Sequence, residues 1–247
     1  MTASPELVRP YGGDESKGRQ LLRMFDSIAG SYDRLNRVLS FGLDRQWRRK
    51  AVGAIRNSPT DILDLAAGTG DLSILMARRL QPYRIIAVDI SEKMMAIGKR
   101  KVAEAGLSDL IRFECRDCLS LSFGDNTFDA VTIAFGLRNL EDLGKGLAEM
   151  LRVLKPGGQL LILELSRPQG FPMRQLYRLY STIVIPPAGM LLSGQISAYR
   201  YLPASIRAVP QGRDMERLLE EAGFTATGSQ TFSCGICSMY TGFKTKG

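Results

Sequence analysis

The amino-acid sequence predicts an α/β protein of the doubly wound type, in which helices cover both faces of a mainly parallel sheet. Three observations support this prediction. Short, almost continuously apolar segments alternate with amphipathic ones between residues 61 and 164, as buried parallel strands and their crossover helices do. The first apolar segment leads into the glycine turn Gly68-Thr69-Gly70, which suits a strand-to-helix junction beside a ligand. The 247 residues suffice for one elaborated domain of this type.

The segments before the alternation predict an arm and a group of helices. Residues 1–14 are polar and rich in glycine and proline, so we expect a flexible arm. Residues 15–57 carry apolar side chains at helical spacing, with breaks near Gly30 and Gly42, which indicates two or three short helices. We expect residues 15–247 to form a single domain that includes these helices.

The alternating part and the C-terminal part predict seven strands. Five strands are expected at residues 61–66, 84–89, 111–115, 128–134 and 159–164. Helices are expected at residues 71–80, 92–106, 140–154 and 214–222. A hairpin of about residues 225–232 and 238–243 ends the chain.

Residues 166–210 interrupt the alternation of strands and helices. They are rich in aromatic residues and methionine, and Pro186 and Pro187 break the segment in its middle. Because the segment is too long for a simple connection, we expect a helical lid over a substrate. The alternative is a helical insertion that only packs on the sheet.

The residues around the glycine turn favour a cationic ligand that has no phosphate. Asp64 stands four residues before Gly68, where it would repel a pyrophosphate, and Ser73 takes the place of the third glycine of the dinucleotide fingerprint. S-adenosylmethionine carries an ammonium and a sulfonium group, so an acid beside the turn attracts it. We therefore expect Asp64, Gly68, Thr69 and Gly70 to bind S-adenosylmethionine.

Acidic residues also follow the second and third predicted strands. Asp89 ends the second strand, where a carboxylate can accept hydrogen bonds from two ribose hydroxyls. Asp117, after the third strand, is placed to meet an adenine amino group, and Cys118 to line the base. Ile90 and Ala134, beside these strand ends, complete the predicted cofactor set. The alternative for each acid taken alone is a solvated loop carboxylate.

The composition excludes several kinds of chemistry. The chain has no histidine, which rules out triads and metal sites that depend on histidine. Its four cysteines form two Cys-x-x-Cys pairs, Cys115 with Cys118 and Cys234 with Cys237. This spacing suits zinc, but free thiols on a buried strand and at a hairpin give the same pattern. We predict no metal site.

Charge and apolar runs bear on location and partners. No apolar run reaches the ~18 residues that a bilayer-spanning helix needs, and the first residues lack the apolar core of a signal peptide. We therefore expect a cytoplasmic protein. The net charge of +8 favours anionic partners, such as nucleic acid, a phosphate-bearing ligand or an anionic membrane face.

This arrangement, with an acidic residue at each of three successive strand ends, resembles that of the class I S-adenosylmethionine-dependent methyltransferases. The resemblance implies a Rossmann-like, seven-stranded sheet in the order 3-2-1-4-5-7-6, with the last strand antiparallel. In that order Cys115 lies five strand positions from the pair Cys234 and Cys237, roughly 24 Å at the usual strand spacing. A zinc site shared by the two pairs is then out of reach.

Several spaced motifs narrow the resemblance. They are Tyr32-Asp33-Arg34-Leu35-Asn36, Ser40-Phe41-Gly42, Trp47, Phe135-Gly136-Leu137-Arg138-Asn139, RVLKPGG at 152–158, Glu164, Ser166 and AYRYLPASI at 198–206. Together they resemble the ubiquinone/menaquinone biosynthesis C-methyltransferase family, and its menaquinone branch more closely. Asp44 departs from the family's usual histidine, which puts a catalytic role of that histidine in doubt, and Ala134 stands where relatives can carry a serine.

The resemblance implies C-methylation of a prenylated quinol, most closely demethylmenaquinol. A ring carbon becomes nucleophilic when a neighbouring hydroxyl, of pKa ~10, loses its proton, and a fixed cation favours that loss. We expect Arg138 to be this cation and Asn139 to orient the hydroxyl or a water. The proton would leave through water, to Asp33 or with Tyr32 as relay. The alternatives are a capping or salt-bridging role for Arg138 and simple packing roles for Tyr32 and Asp33.

A prenylated substrate suggests a peripheral contact with an anionic membrane at its inner face. The basic run Arg45, Arg48, Arg49 and Lys50 and the apolar part of the lid near residues 183–192 would suit it, although a solvated basic helix face would look the same. Nucleic acid is not expected, because the basic residues are scattered without aromatic interleaving. The alternatives are methylation of another small phenol, a sterol or RNA, and a nicotinamide oxidoreductase or non-catalytic binding module.

Overall fold

The computed structural model describes residues 5–56, 58–185, 187, 190 and 196–246. Seven strands form one sheet: β1 (Asp61–Leu65), β2 (Arg84–Asp89), β3 (Ile111–Cys115), β4 (Phe128–Ala134), β5 (Leu154–Leu165), β6 (Thr225–Phe232) and β7 (Cys237–Phe243). Their order is β3-β2-β1-β4-β5-β7-β6. β7 is antiparallel to both of its neighbours, and the other neighbouring strands are parallel. The predicted doubly wound fold, strand order and antiparallel last strand are confirmed.

Helices precede the sheet, connect its strands and cover its faces. They are α1 (Lys17–Ile28), α2 (Tyr32–Leu39), α3 (Leu43–Gly53), α4 (Asp71–Leu80), α5 (Glu92–Glu104), α6 (Leu143–Val153), α7 (Met173–Leu179), α8 (Ile196–Ala208) and α9 (Arg213–Glu221). A π-helical turn, Tyr180–Val184, continues α7. Side-chain caps fix two of the starts: Ser91 Oγ accepts from Met94 N–H before α5, and Asp142 Oδ1 accepts from Lys145 N–H before α6. The second cap makes α6 begin three residues later than predicted.

Alternating burial on β1 explains why both faces of the sheet are covered. Leu63 and Leu65 belong to a core cluster that α6 and α9 complete, whereas Ile62 belongs to the opposite cluster, which α3, α4 and α5 complete. Asp64 lies on the same face as Ile62 and is 1% exposed. A carboxylate is thus buried at the end of the central strand.

β5 extends further toward the N-terminus than the sequence predicts. It begins at Leu154, so the Lys-Pro-Gly-Gly segment that the prediction left outside is part of the strand. Gly157 N–H donates to Lys244 O and Lys244 N–H donates to Gly158 O. These bonds pair the glycine segment with the residue that follows β7, which satisfies its backbone without a regular ladder to β4.

The N-terminal helices and the insertion pack on each other in a third apolar cluster. Leu21 and Met24 of α1, Leu35 of α2 and Tyr199 and Tyr201 of α8 belong to it. The insertion is helical over residues 173–185 and 196–208, and residues 186, 188–189 and 191–195 of the expected lid lie outside the described residues. That it acts as a lid, and that residues 15–247 are one domain, stay predictions.

The segment expected to be an arm contains one short turn and contacts α1. Residues 1–4 lie outside the described residues, and Pro5–Leu7 form a 3-10 turn. Tyr11 N–H donates to Gln20 Oε1 at 2.8 Å, and the Lys17 ammonium donates to the carbonyl oxygen of Pro5. The segment is therefore attached to α1 at two points.

Close packing of α5 on the sheet gives a first prediction. A Cβ atom on Gly98 would lie 2.5 Å from Cζ of Phe113 and 3.2 Å from the carbonyl carbon of Thr69. Gly98→Ala should therefore lower the free energy of unfolding by about 1–3 kcal/mol, as overpacking does, in urea titrations. Gly53→Ala in α3, where nothing lies within 4 Å of the added Cβ, is the control. Equal stabilities of the two variants would contradict the packing argument.

Candidate active site

The turn after β1 brings backbone groups to the carboxyl edge of the sheet. Gly68 and Gly70 have φ values of 55° and 76°, which residues with a side chain rarely adopt. A Cβ atom on Gly70 would also lie 2.9 Å from Cζ of Phe113. A hydrogen bond from Gly70 N–H to Ala67 O, 2.9 Å long, closes the turn. Both conformation and space therefore favour glycine at position 70.

An acidic cavity of about 350 Å³ lies between this turn, the ends of β2 and β4, and α1. Six of the nine residues predicted to bind the cofactor line it: Gly68, Asp89, Ile90, Asp117, Cys118 and Ala134. Asp89 is held by two backbone groups, because its Oδ2 accepts from Gly68 N–H at 2.8 Å and its Oδ1 from Ser91 N–H at 2.9 Å. A carboxylate has about four acceptor sites, so it can still accept a hydrogen bond from a ligand.

The charge of the acidic cavity is opposite to that of the whole chain. Among the described residues that line it, Asp89, Asp117 and Glu141 are acidic and only Arg19 is basic. Burial raises the pKa of Asp89, although hydrogen bonds from the backbone oppose the shift. Ile90, Met94 and Cys118 add apolar wall. The cavity therefore suits a cationic ligand with an apolar part, and it disfavours a phosphate.

Asp64 lies beneath the turn rather than on the acidic cavity. Its carboxylate accepts hydrogen bonds from the hydroxyls of Ser73 and Thr132, and it lines a small cavity of about 30 Å³ together with Arg48. Burial raises the pKa of Asp64 to about 6, and these hydrogen bonds oppose the shift. Sequence reasoning used Ser73 only as a missing glycine, whereas its hydroxyl satisfies this buried acid.

Thr69 and Asp33 connect the turn with α2 instead of facing the acidic cavity. The Thr69 hydroxyl donates to Asp33 Oδ1 at 2.5 Å, and the Lys101 ammonium donates to Asp33 Oδ2 at 2.9 Å. Lys101 also pairs with Asp71. Asp33 is not among the described residues that line the acidic cavity or the chamber described next. Its carboxylate is bound by a cation and a hydroxyl, so the geometry disfavours Asp33 as a proton acceptor.

An apolar chamber of about 120 Å³ lies between the N-terminal helices, the π-helical turn and α8. Most of its wall is aliphatic or aromatic, with Met24, Leu35, Trp47, Tyr180, Ile185 and Leu202 among its members. Phe25, Tyr32 and Phe135 line both this chamber and the acidic cavity. These three side chains form the partition between the two spaces.

Arg138 is a buried cation in the wall of the apolar chamber. It is 6% exposed, and its Nη1 donates to Glu164 Oε1 at 2.6 Å and to Phe135 O at 2.5 Å. Burial disfavours the charged guanidinium, but Glu164 together with Tyr32 and Tyr201 outweighs this effect and raises the pKa of Arg138. Nε is buried without a hydrogen-bond partner in the described part of the chain. The salt-bridging alternative is therefore realised, and the same side chain also faces the chamber.

Asn139 and Tyr32, the other predicted catalytic residues, lie close to the partition. Asn139 lines the acidic cavity, and its Oδ1 accepts from the Tyr201 hydroxyl at 3.0 Å. Tyr32 lines the acidic cavity, the apolar chamber and the small cavity, and burial raises its pKa. Sequence reasoning did not assign roles to Tyr201 or Glu164, although both occur in the motifs that carried the family resemblance.

Asp44, the departure from the family pattern, is part of a second buried ion pair in the chamber wall. Its Oδ2 accepts from Arg48 Nη1 at 2.6 Å, and the Arg48 guanidinium stacks on Phe135, with its carbon 5.1 Å from the ring centre. Arg48 of the basic run is therefore buried, and it fits neither the expected membrane contact nor the alternative of a solvated face, whereas Arg45 and Arg49 are exposed.

The described residues contain no group of three or more histidine, cysteine, aspartate or glutamate side chains that could hold a metal ion. None of the helices among them combines the length and the apolar character that crossing a bilayer requires. Cys115 lies on the edge strand β3 and Cys237 on β7, five positions apart in the strand order.

Known proteins with similar sequences are methyltransferases. The model of the ubiE/COQ5 methyltransferase family matches residues 14–244. Demethylmenaquinone methyltransferase of Bacteroides fragilis is 51% identical over 245 residues, which are 99% of this chain and 100% of that protein. The ubiquinone/menaquinone biosynthesis C-methyltransferase UbiE of Geobacter sulfurreducens is 46% identical, over 92% of this chain and 90% of that protein.

Solved structures extend the likeness of the fold. Phosphoethanolamine N-methyltransferase 2 of Haemonchus contortus, in complex with S-adenosyl-L-methionine, superimposes with a TM-score of 0.67 at 16% identity. The match covers 94% of this chain and 61% of that one. At this level of identity the likeness concerns the fold alone.

The raised pKa of Asp64 gives a prediction of pH dependence. The folded state keeps the Asp64 proton up to about pH 6, whereas the unfolded chain loses it near the ordinary value of 3.8. Stability from this group is therefore present below pH 4 and lost as the pH rises through 6. Between about pH 4 and pH 6, the free energy of unfolding of the unmodified protein should therefore fall, relative to that of Asp64→Asn, by roughly 1.4 kcal/mol per pH unit. Urea titrations measure it, and parallel pH profiles would contradict it.

Proposed function

The chain belongs to the ubiE/COQ5 methyltransferase family, and on that premise we propose that it transfers a methyl group from S-adenosylmethionine to a ring carbon of demethylmenaquinol. The observation that carries the proposal is the partition formed by Phe25, Tyr32 and Phe135, with an acidic cavity on one side and an apolar chamber on the other. A cationic methyl donor and an apolar acceptor would meet across it. The names of the similar proteins support the quinol as that acceptor.

The acidic cavity fits S-adenosylmethionine, which supplies an electrophilic methyl group bound to a cationic sulfur. Asp89, oriented by two backbone N–H groups, would accept from the ribose hydroxyls. Ile90 and Cys118 would bound the adenine, and Asp117 would meet its amino group. Asp64 would stabilise the turn and contribute negative charge beneath it rather than touch the ligand.

Arg138 would make the acceptor nucleophilic. A quinol hydroxyl has a pKa of ~10, and a guanidinium beside it favours the phenolate. Negative charge then reaches the ring carbon next to the hydroxyl-bearing carbon, a carbon–methyl bond forms as the methyl–sulfur bond breaks, and the ring carbon loses its hydrogen as a proton. Asn139, fixed by Tyr201, would orient the hydroxyl or a water. Glu164 holds Arg138 charged and in place.

Tyr32 is the residue that we propose as relay for the hydroxyl proton. It lines both cavities on either side of the partition and the small cavity beneath the turn. Water reached through these spaces would carry the proton away. Asp33 is not retained in this role, because Thr69 and Lys101 bind its carboxylate.

An assay of labelled methyl transfer tests the proposed reaction. The pure protein should transfer label from S-adenosylmethionine to a reduced demethylmenaquinone analogue, and Arg138→Ala should lower kcat by about 100-fold or more with nearly unchanged cofactor affinity. Because alanine leaves Glu164 buried and unpaired, the double variant Arg138→Ala with Glu164→Gln is the matched control for folding. If the quinol stays unlabelled although the protein is folded and binds the cofactor, the proposed reaction is wrong. Equal loss of cofactor affinity would assign Arg138 to binding.

An exposed apolar surface beside the chamber supports contact with a membrane. This apolar rim consists of Val38, Phe41, Leu176, Leu179, Ile183 and Val184, each between 45% and 78% exposed. The rim adjoins the chamber through Tyr180, which lines the chamber. The Tyr180 ring lies against that of Phe41, with ring centres 5.7 Å apart, and its hydroxyl donates to Leu39 O at 2.8 Å. A prenyl tail could pass from the chamber to lipid across this rim.

The charge of the same region supports an anionic bilayer as the partner. Residues 165–213 contain six arginines, no lysine and no acidic residue. Arg174 and Arg178 are exposed on α7, which also carries Leu176 and Leu179 of the rim. Arginine next to exposed apolar side chains is the composition of surfaces that lie in the headgroup region of membranes. We therefore propose the apolar rim, rather than the basic run of α3, as the contact.

Vesicle binding tests this contact. The protein should sediment with vesicles that contain phosphatidylglycerol, and the double variant Phe41→Ser with Leu179→Ser should bind about tenfold more weakly or worse, because each apolar side chain contributes ~1.5–3 kcal/mol on burial. Tyr83→Ser is the matched control. Tyr83 is 80% exposed and immediately precedes β2, so it lies at the amino-terminal ends of the parallel strands, opposite the edge where the cavities lie. Equal binding by the rim variant and the control, or no binding by the unmodified protein, would contradict the proposal.

A further inference from the structure

Lys17 is a buried lysine that the proposed chemistry does not use. It is 3% exposed, and its ammonium group donates to three backbone carbonyl oxygens: Pro5 O at 2.9 Å, Arg138 O at 3.1 Å and Leu140 O at 2.8 Å. Burial lowers the pKa of Lys17 to about 8, against the opposing charge of Glu141, so the group keeps its three protons at neutral pH. Three N–H donors meet three acceptors, which is the number an ammonium group needs when it leaves water.

Two of the three acceptors flank Asn139 in the segment that carries the proposed catalytic groups. By binding Arg138 O and Leu140 O, the Lys17 ammonium fixes the peptide unit that precedes Asn139 and the one that follows Leu140. On its other side the segment is held by the pairing of Arg138 with Glu164. Lys17 thus determines the placement of the backbone from which the Arg138 and Asn139 side chains reach the chamber and the acidic cavity.

The same lysine stands at the start of the helix that covers the acidic cavity. Ser16, Gly18, Arg19, Leu21, Leu22 and Phe25, in and just before α1, line that cavity. Gly18 N–H donates to Glu141 Oε1, and a Cβ atom on Gly18 would lie 3.2 Å from that oxygen. The N-terminus of α1 is therefore attached to residues 138–141 by Lys17 and by the adjoining Gly18.

We propose that Lys17 is a positioning residue that couples closure of α1 over the acidic cavity to placement of Arg138 and Asn139. When Lys17 binds its three carbonyls, the cavity is covered and the catalytic segment is in its working position. When the contact opens, the cofactor is released and the segment loses its support. This inference rests on the proposed function, because it takes the acidic cavity as the cofactor site.

The chain contains a matched control for this lysine. Lys244 Nζ also donates to three oxygens, Asn126 Oδ1 at 2.8 Å, Leu151 O at 2.9 Å and Arg152 O at 3.2 Å. None of these residues is among those described as lining the acidic cavity or the apolar chamber. Lys244→Met removes the same number of hydrogen bonds between lysine and protein as Lys17→Met, away from the site.

Cofactor dissociation and turnover test the proposal. Lys17→Met should release S-adenosylmethionine about tenfold faster or more, as expected when hydrogen bonds from a charged group are lost, and should lower kcat while KM for the quinol changes little. Lys17→Gln, which keeps two N–H donors, should lie between Lys17→Met and the unmodified protein, and it serves if Lys17→Met does not fold. Lys244→Met should lower only the melting temperature.

Two results would overturn the role of Lys17. In the first, Lys17→Gln and Lys17→Met have the same dissociation rate and the same kcat as the unmodified protein. In the second, activity falls in proportion to melting temperature, and by the same proportion in the Lys17 variants as in Lys244→Met. The role of Lys17 would then be merely structural. The dissociation rate needs no acceptor, so it separates this proposal from the quinol reaction. A protein that binds S-adenosylmethionine but methylates no quinol would refute only the reaction.

Discussion

The buried ion pair between Arg138 and Glu164 holds the segment after β4, and both cavities depend on that segment. Phe135 contributes to the partition, Arg138 to the apolar chamber and Asn139 to the acidic cavity. Phe135 itself has a φ of 59°, a conformation that a phenylalanine adopts at a cost and keeps only when its surroundings enforce it. Here its N–H donates to Leu163 O and its carbonyl accepts from Arg138.

The acids at the strand ends differ in their surroundings. Asp64 accepts from the Ser73 and Thr132 hydroxyls beneath the turn, so it connects β1 with α4 and β4. Asp89 is oriented by backbone N–H groups and faces the acidic cavity. Asp33, from the N-terminal helices, binds the turn through Thr69. One turn is therefore fixed from below by an acid of the sheet and from the side by an acid of α2.

The two cavities lie between the sheet and the helices that surround its carboxyl edge. The sheet supplies the turn and Asp89, whereas α1, α2, the π-helical turn and α8 enclose the chamber and cover the acidic cavity. Parallel strands leave their carboxyl ends open at one edge, so the added helices decide what reaches that edge. Their apolar inner wall suits a quinol ring, and the exposed apolar rim outside it suits the tail of such a substrate.

The fold and six of the nine residues expected to bind the cofactor, which line the acidic cavity, could be predicted from the sequence. Apolar strands alternate with helices at short range, and Asp89, Asp117 and Cys118 follow strands whose carboxyl ends must meet at one edge. The roles of Asp33 and Glu164 were decided only by tertiary structure. Their charged partners, Lys101 and Arg138, lie 68 and 26 residues away along the chain, and no local pattern shows which charge a folded chain will bring to a carboxylate. The same holds for Lys17, because its acceptors are backbone carbonyls, which every residue has and no sequence pattern marks.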